Sequence, residues 1–213
     1  MMQMNVAQRK EFIVFTAVDL AHERGFHYVS TKEIARRLNI SEALIYKIFP
    51  KKNDILIAVL DQFAIYDSDI YRTAMEAYED TLEGILFVIR KIIAYYENYP
   101  AITAVYQAYG TLKSEPELEN KANSIFFRRV EALKRMVNKA WETGRIREEW
   151  NPETVADILM SIIIGMCLQW RMRDFSFSLM DRTLNAVESI FDTIKKGDAD
   201  VGKRAGQCEN RMG

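Results

Sequence analysis

Read for its apolar positions, the chain is a succession of helical stripes separated by polar turns. From Arg9 to Arg24, Ile13, Ala17, Leu20 and Ala21 recur at helical spacing, and Gly25 follows where a left-handed cap would close the helix, with Phe26 packing back on it. Ser30 and Glu33 form an S-x-x-E capping box that opens a helix of about two turns, whose inner face is Ile34, Ala35 and Leu38. Asn39 and Ile40 make the turn, Ser41 is the next cap, and Ile45 with Phe49 forms the inner edge of a third short helix. Pro50 then breaks the chain, because it disfavours helical geometry at the residue before it.

Asp54 to Tyr71 reads as one helix running from this small unit into a larger one. Thr81 to Asn98 carries a broad apolar face (Leu82, Ile85, Leu86, Ile89, Ile92, Ile93, Tyr96) and stops at Pro100. Further helices are predicted over Ala101 to Leu112, over Glu117 to Thr143 with Gly144 as its stop, from Pro152 to about Met172, and over about Ser178 to Lys195. The pattern contains no strand alternation and no internal repeat. The expected organisation is all-α: a domain at 1–53, a larger helical domain at 54–196, and a polar tail at 197–213 expected to be disordered.

Composition adds limits. The 213 residues are 49% hydrophobic and 28% charged, with 9 Gly and 4 Pro, which is poor in the turn residues a many-stranded protein needs. Cys167 and Cys208 lie far apart with no nearby His or CxxC spacing, which argues against a disulfide scaffold or a zinc site and fits a reducing compartment; no cofactor is expected. The start lacks the pattern of a secretory signal, so a cytoplasmic location is expected. The longest apolar run, Ile158 to Trp170, is shorter than the roughly 18 to 20 residues a membrane span needs and is closed by Asp157 and Arg171, so it reads as a core helix. The net charge of −1 hides an asymmetry: residues 1–54 hold nine Lys/Arg against six Asp/Glu, a mildly basic front.

Two short helices joined by a tight turn and preceded by a supporting helix follow the helix-turn-helix plan for reading DNA. Residues 9–60 resemble the DNA-binding domain of the TetR family of bacterial transcriptional regulators. The resemblance rests on an ordered set of elements at the right spacing: Gly25-Phe26, Ser30-Thr31, Glu33-Ile34-Ala35, Ile40-Ser41, Ile45-Tyr46, Phe49, Lys52 and Leu56. It implies that Thr31, Tyr46 and Lys52 touch phosphates and that Glu42, Ala43, Leu44 and Lys47 face base edges. The chemistry is compatible: Lys47 can donate to guanine or a phosphate, Glu42 can accept from cytosine N4, and Ala43 or Leu44 can meet a thymine methyl. A half-buried core position is the alternative for Tyr46, and a solvated face the alternative for Lys32, Arg36 and Arg37. The chain departs from the family pattern at Asn39, where Gly is common, and at Leu44 and Ile48. It departs also at Lys51, which leaves Asn53 or Asp54 to cap the next helix.

The resemblance also implies that the C-terminal helices pair two chains and bind a small molecule. From Val155 to Trp170 apolar residues occur nearly all round the helix, which calls for burial on two sides, one of them against a second chain; a central helix in a monomer is the alternative. Candidate ligand-lining residues are Phe87, Tyr95, Tyr106, Tyr109, Phe127, Trp141 and Met160, each with plain core packing as the alternative. Arg90 is a candidate anion holder that could equally extend to solvent. The expected function is a dimeric repressor that leaves its DNA operator when it binds an effector. The competing class is a helical carrier of small molecules or lipids. An enzyme is disfavoured, since no nucleophile, paired-carboxylate or phosphate-loop motif occurs at a recognisable spacing.

Overall fold

The computed structural model describes residues 5–79 and 81–195; the expected disordered tail at 197–213 lies outside the described residues. Among the described residues ten α-helices follow one another: α1 Val6–Arg24, α2 Thr31–Leu38, α3 Glu42–Ile48, α4 Lys52–Phe63, α5 Asp67–Ala77, α6 Thr81–Asn98, α7 Tyr109–Leu112, α8 Pro116–Glu142, α9 Pro152–Met172 and α10 Leu179–Ile194. The described residues hold no β-strand; Ile146 and Lys195 make one isolated bridge. The fold is all-α, as the pattern indicates.

The helix boundaries follow local chemistry. Ser30 and Ser41 cap α2 and α3, their hydroxyls accepting from the amides of Glu33 and Leu44 at 3.2 Å each. The second half of the expected capping box does not form, because the Glu33 carboxylate turns outward to Arg36 at 2.7 Å instead. Asn39 closes α2 in the left-handed region (φ 52°), with Ile40 N–H reaching Ala35 O at 3.0 Å. Asn is the residue other than Gly that most readily takes this conformation, so the departure from glycine is accommodated. Gly25 has φ 93° and ψ 157°, outside the expected left-handed cap, and leads into a short 3-10 turn, Phe26–Tyr28. Gly144 (φ 73°) ends α8 as expected, with Arg145 N–H bonded to Ala140 O at 2.8 Å. At α4, the Asp54 carboxylate accepts from the Lys51 amide at 2.8 Å, and the helix still begins at Lys52.

Two expected helices are broken. Asp54 to Tyr71 divides into α4 and α5 because the Phe63 carbonyl, which would accept from the Asp67 amide in a continuous helix, accepts instead from the Arg129 guanidinium at 3.1 Å. The Asp67 amide bonds Ala64 O at 3.1 Å. Ala101 to Leu112 is a 3-10 helix, Pro100–Gln107, followed by the single turn of α7; Thr103 and Arg171 side chains bond the Pro100 carbonyl at the start of that segment.

Ile13, Ala17, Leu20, Ile34, Ile45 and Phe49 pack α1, α2 and α3 together, and Ile55, Leu56 and Val59 add α4 to the same core. The other end of α4 packs on α8, and α6, α8, α9 and α10 form the larger bundle. Helix α4 therefore belongs to both parts. By length and composition, Pro152–Met172 would also pass as a membrane span, with a mean hydropathy of 1.5. Here Val155, Leu159, Ile163, Cys167 and Trp170 are buried in the bundle, while Asp157, Ser161 and Gln169 are exposed, so the helix does have a wet edge.

Candidate nucleic-acid interface and ligand cavity

The exposed side of the N-terminal domain carries most of the expected DNA contacts. Ala43, Tyr46, Lys47, Lys51 and Lys52 are exposed, and Glu42 and Leu44 are half-buried. Tyr46 is 47% exposed, so it is not a core tyrosine. Its hydroxyl lies 3.3 Å from the hydroxyl of Thr31, which itself donates to the Glu42 carboxylate at 2.9 Å. Two expected phosphate contacts and one expected base contact thus form one cluster between the starts of α2 and α3. Glu42 holds the Thr31 proton here, so Thr31 meets a phosphate only by turning away from Glu42.

The basic residues divide by role. Arg37 forms a bidentate pair with Glu23 and lies 3.6 Å from Glu33, fastening α2 to α1. Arg36 is held by Glu33, and that pairing keeps the Glu33 carboxyl well below its usual range, at about 2. Both are committed to carboxylates of their own chain. Ile48 is half-buried against the core.

In the larger domain, α4, α7, α8, α9 and the 3-10 helix enclose a cavity of about 390 Å³. Of the eight expected ligand-lining residues, Tyr106, Tyr109, Phe127 and Met160 meet there, together with Leu60, Phe63, Phe126 and Ile164. Tyr109, Phe126 and Phe127 are substantially exposed and stand at its mouth. The other four lie elsewhere. Phe87 packs on Tyr78, and Tyr95 donates to Gln62 O at 2.9 Å; both border a shallow groove between α5 and α6. Arg90 is half-exposed opposite Glu188, 3.9 Å away, and Trp141 is 39% exposed.

The arginine that does enter this cavity wall is Arg129, 4% exposed. Its Nε donates to Asp67 at 2.6 Å, one terminal nitrogen to Tyr96 at 2.8 Å and Tyr106 at 3.3 Å, and the other to Asp67 at 2.8 Å and Phe63 O at 3.1 Å. The guanidinium also stacks 4.3 Å from the Phe63 ring centroid. Burial works against its charge; the tyrosine hydroxyls and Asp67 outweigh burial and hold the group ionised. The signal for it was in the sequence: Leu118, Ala122, Ile125, Arg129, Leu133 and Met136 share one stripe of α8, so Arg129 occupies an apolar phase. Arg90 has apolar neighbours in sequence but lies off the apolar stripe of α6, and helical phase decides burial.

A helix-turn-helix head joined through a shared helix to a bundle with an apolar cavity defines a helical DNA-binding regulator. Residues 13–59 match the model of the bacterial regulatory proteins, tetR family, so the N-terminal head is a tetR-type DNA-binding domain. The chain is 25% identical over 162 residues to the nucleoid occlusion factor SlmA of Salmonella typhi, covering 75% of this chain and 79% of that protein. Its fold matches the transcriptional regulator FadR from Bacillus subtilis, solved with stearoyl-CoA (TM-score 0.72, 22% identity, 85% of this chain and 96% of that one). It also matches the ketosteroid regulator KstR2 of Mycobacterium tuberculosis (TM-score 0.75, 17% identity, 92% and 98%).

Proposed function

We propose that this chain is a homodimeric, non-enzymatic repressor in the cytoplasm that binds a double-stranded operator through α2 and α3 and is released when a small molecule enters the cavity. The observation that carries the reading is the dual membership of α4. Leu60 and Phe63 at its end line the cavity, while Ile55, Leu56 and Val59 at its start lie in the core that positions α3. A ligand that moves the end of α4 shifts the head that reads DNA. A coupling of about 1–3 kcal/mol would change operator affinity by roughly 5- to 150-fold.

Pairing supports the same reading. The outer face of α9 forms a groove in which Ile158, Ile162, Gly165 and Met166 alternate with the polar Asp157, Ser161 and Gln169, and its small residues let a second helix approach closely. A two-fold pair would set two reading heads on half-sites about one helical turn, or a multiple, apart. In this reading Thr31, Tyr46 and Lys52 contact phosphates, and Glu42, Ala43, Leu44 and Lys47 face bases. Sedimentation with a duplex from the chain's own promoter tests it: two chains per operator are expected, and one chain per duplex, or no complex at low salt, would refute it. A carrier role leaves the exposed Tyr46, Lys47 and Lys52 surface unused.

A further inference from the structure

We propose that the cavity selects an uncharged, largely apolar molecule carrying a hydrogen-bond acceptor, such as a carbonyl oxygen, and that Tyr106 donates to that acceptor. The inference rests on the reading of this cavity as the effector site and names its ligand class. It follows from an accounting of donors. Arg129, the one charged residue on the cavity wall among the described residues, has five N–H groups, and all five are already taken by Asp67, Tyr96, Tyr106 and Phe63 O. An anion entering the cavity finds no free donor on it. To gain one it must displace Asp67, leaving that carboxylate beside a second negative charge in a place where charge is poorly solvated.

The hydroxyls give the complementary result. Tyr96 and Tyr106 are 3.1 Å apart and both accept from Arg129, so one hydroxyl proton joins the pair and the other remains. Tyr96 is fully buried and does not line the cavity, whereas Tyr106 does. Because Tyr106 is the member of the pair that lines the cavity, we assign Tyr96 as the donor between them, which leaves the Tyr106 O–H for a ligand. The rest of the wall is mostly apolar, with Leu60, Phe63, Val105, Leu112, Met160 and Ile164, and its other polar side chains, Asn123 and Tyr109, are neutral; the volume falls within the range of drug-sized ligands.

Three environment-sensitive dyes test this on the full-length protein. N-phenyl-1-naphthylamine is neutral, 1-anilinonaphthalene-8-sulfonate adds a sulfonate to the same skeleton, and prodan is a neutral ketone. Both neutral dyes are expected to bind at least about 10-fold more tightly than the sulfonate. Tyr106→Phe is expected to weaken prodan by about 3- to 10-fold while leaving N-phenyl-1-naphthylamine within about 2-fold. Ile164→Phe and, as a milder second filling variant, Ala122→Leu should reduce binding of the neutral dyes, with folding checked by helical circular dichroism. If the sulfonate binds as tightly as its neutral counterpart and both filling variants displace it, the charge selection is wrong while the cavity remains the ligand site. If Tyr106→Phe affects the ketone and the amine equally, the donor assignment is wrong. If no dye responds to either filling variant, the effector-site reading itself fails.

Discussion

Asp67→Ala is expected to be among the most destabilising single substitutions outside the apolar core. Asp67 accepts two hydrogen bonds from Arg129, at 2.6 and 2.8 Å, and the Arg129 side chain is 5% exposed. Removing the carboxylate leaves a buried charge with two unmet donors, a change that typically costs about 3–5 kcal/mol. Asp67 itself is 20% exposed along a groove shared with Ser68 and Arg129, so water can reach part of the vacated space. The lower end, about 3 kcal/mol, is therefore expected, or roughly 6–12 °C in Tm for a chain of this size. Urea unfolding followed by circular dichroism, at one fixed protein concentration because dimerisation contributes to stability, measures it. The paired variant Asp67→Ala with Arg129→Met removes the charge together with its partner. It should be less destabilised than the sum of the two single variants by more than about 1 kcal/mol. A cost below about 1 kcal/mol for Asp67→Ala, or strict additivity, would show that the pair does not hold the α4–α5 break.

Other outcomes follow from particular residues. Glu42→Ala frees the Thr31 hydroxyl and removes a carboxylate from the DNA-facing cluster, so affinity for a non-operator duplex, read by fluorescence anisotropy, should rise by about 2- to 10-fold; a fall would mean that Glu42 orients Thr31 productively. Burial pushes the Cys167 thiol up to about 12, so in a Cys208→Ser background a thiol reagent at pH 8 should label the protein only after unfolding. Burial, then the nearby Arg171 guanidinium, lowers the His22 pKa below its ordinary 6.5, and Asp19 and Glu23 oppose this only in part. As pH falls below about 6.5, the unfolded chain takes up this proton before the folded one does, so His22 makes the fold less stable on acidification. Unfolding of His22→Gln between pH 7.5 and 5.5 should therefore lose less stability than the parent, and an equal loss would place the sensitivity elsewhere.

Much of the N-terminal domain was legible because its signals are local. Ser30, Ser41, Asn39 and Pro50 act within a few residues, and the apolar positions Ile34, Ile45 and Phe49 fall on the faces their spacing implies. The α4–α5 break was not legible, since its cause is a guanidinium 66 residues further along the chain taking the Phe63 carbonyl. The same long-range contact explains the uneven reading of the cavity. Aromatic residues on α6, on the 3-10 helix and on α8 present equally good stripes, and only packing decides that Tyr106 and Phe127 reach the cavity while Phe87 and Trp141 do not. Helical phase alone could have selected Arg129 over Arg90, because residue type in the immediate neighbourhood says less about burial than position on the helix.

The central claim is that a paired helix-turn-helix head reads a specific duplex. Selection from a random duplex library at moderate salt, followed by sequencing, measures that directly. The account requires enrichment of a two-fold symmetric site, with Tyr46→Ala and Lys52→Ala lowering affinity for all sequences alike and reducing the salt dependence. Enrichment of no sequence, or of single half-sites bound by one chain, would contradict it.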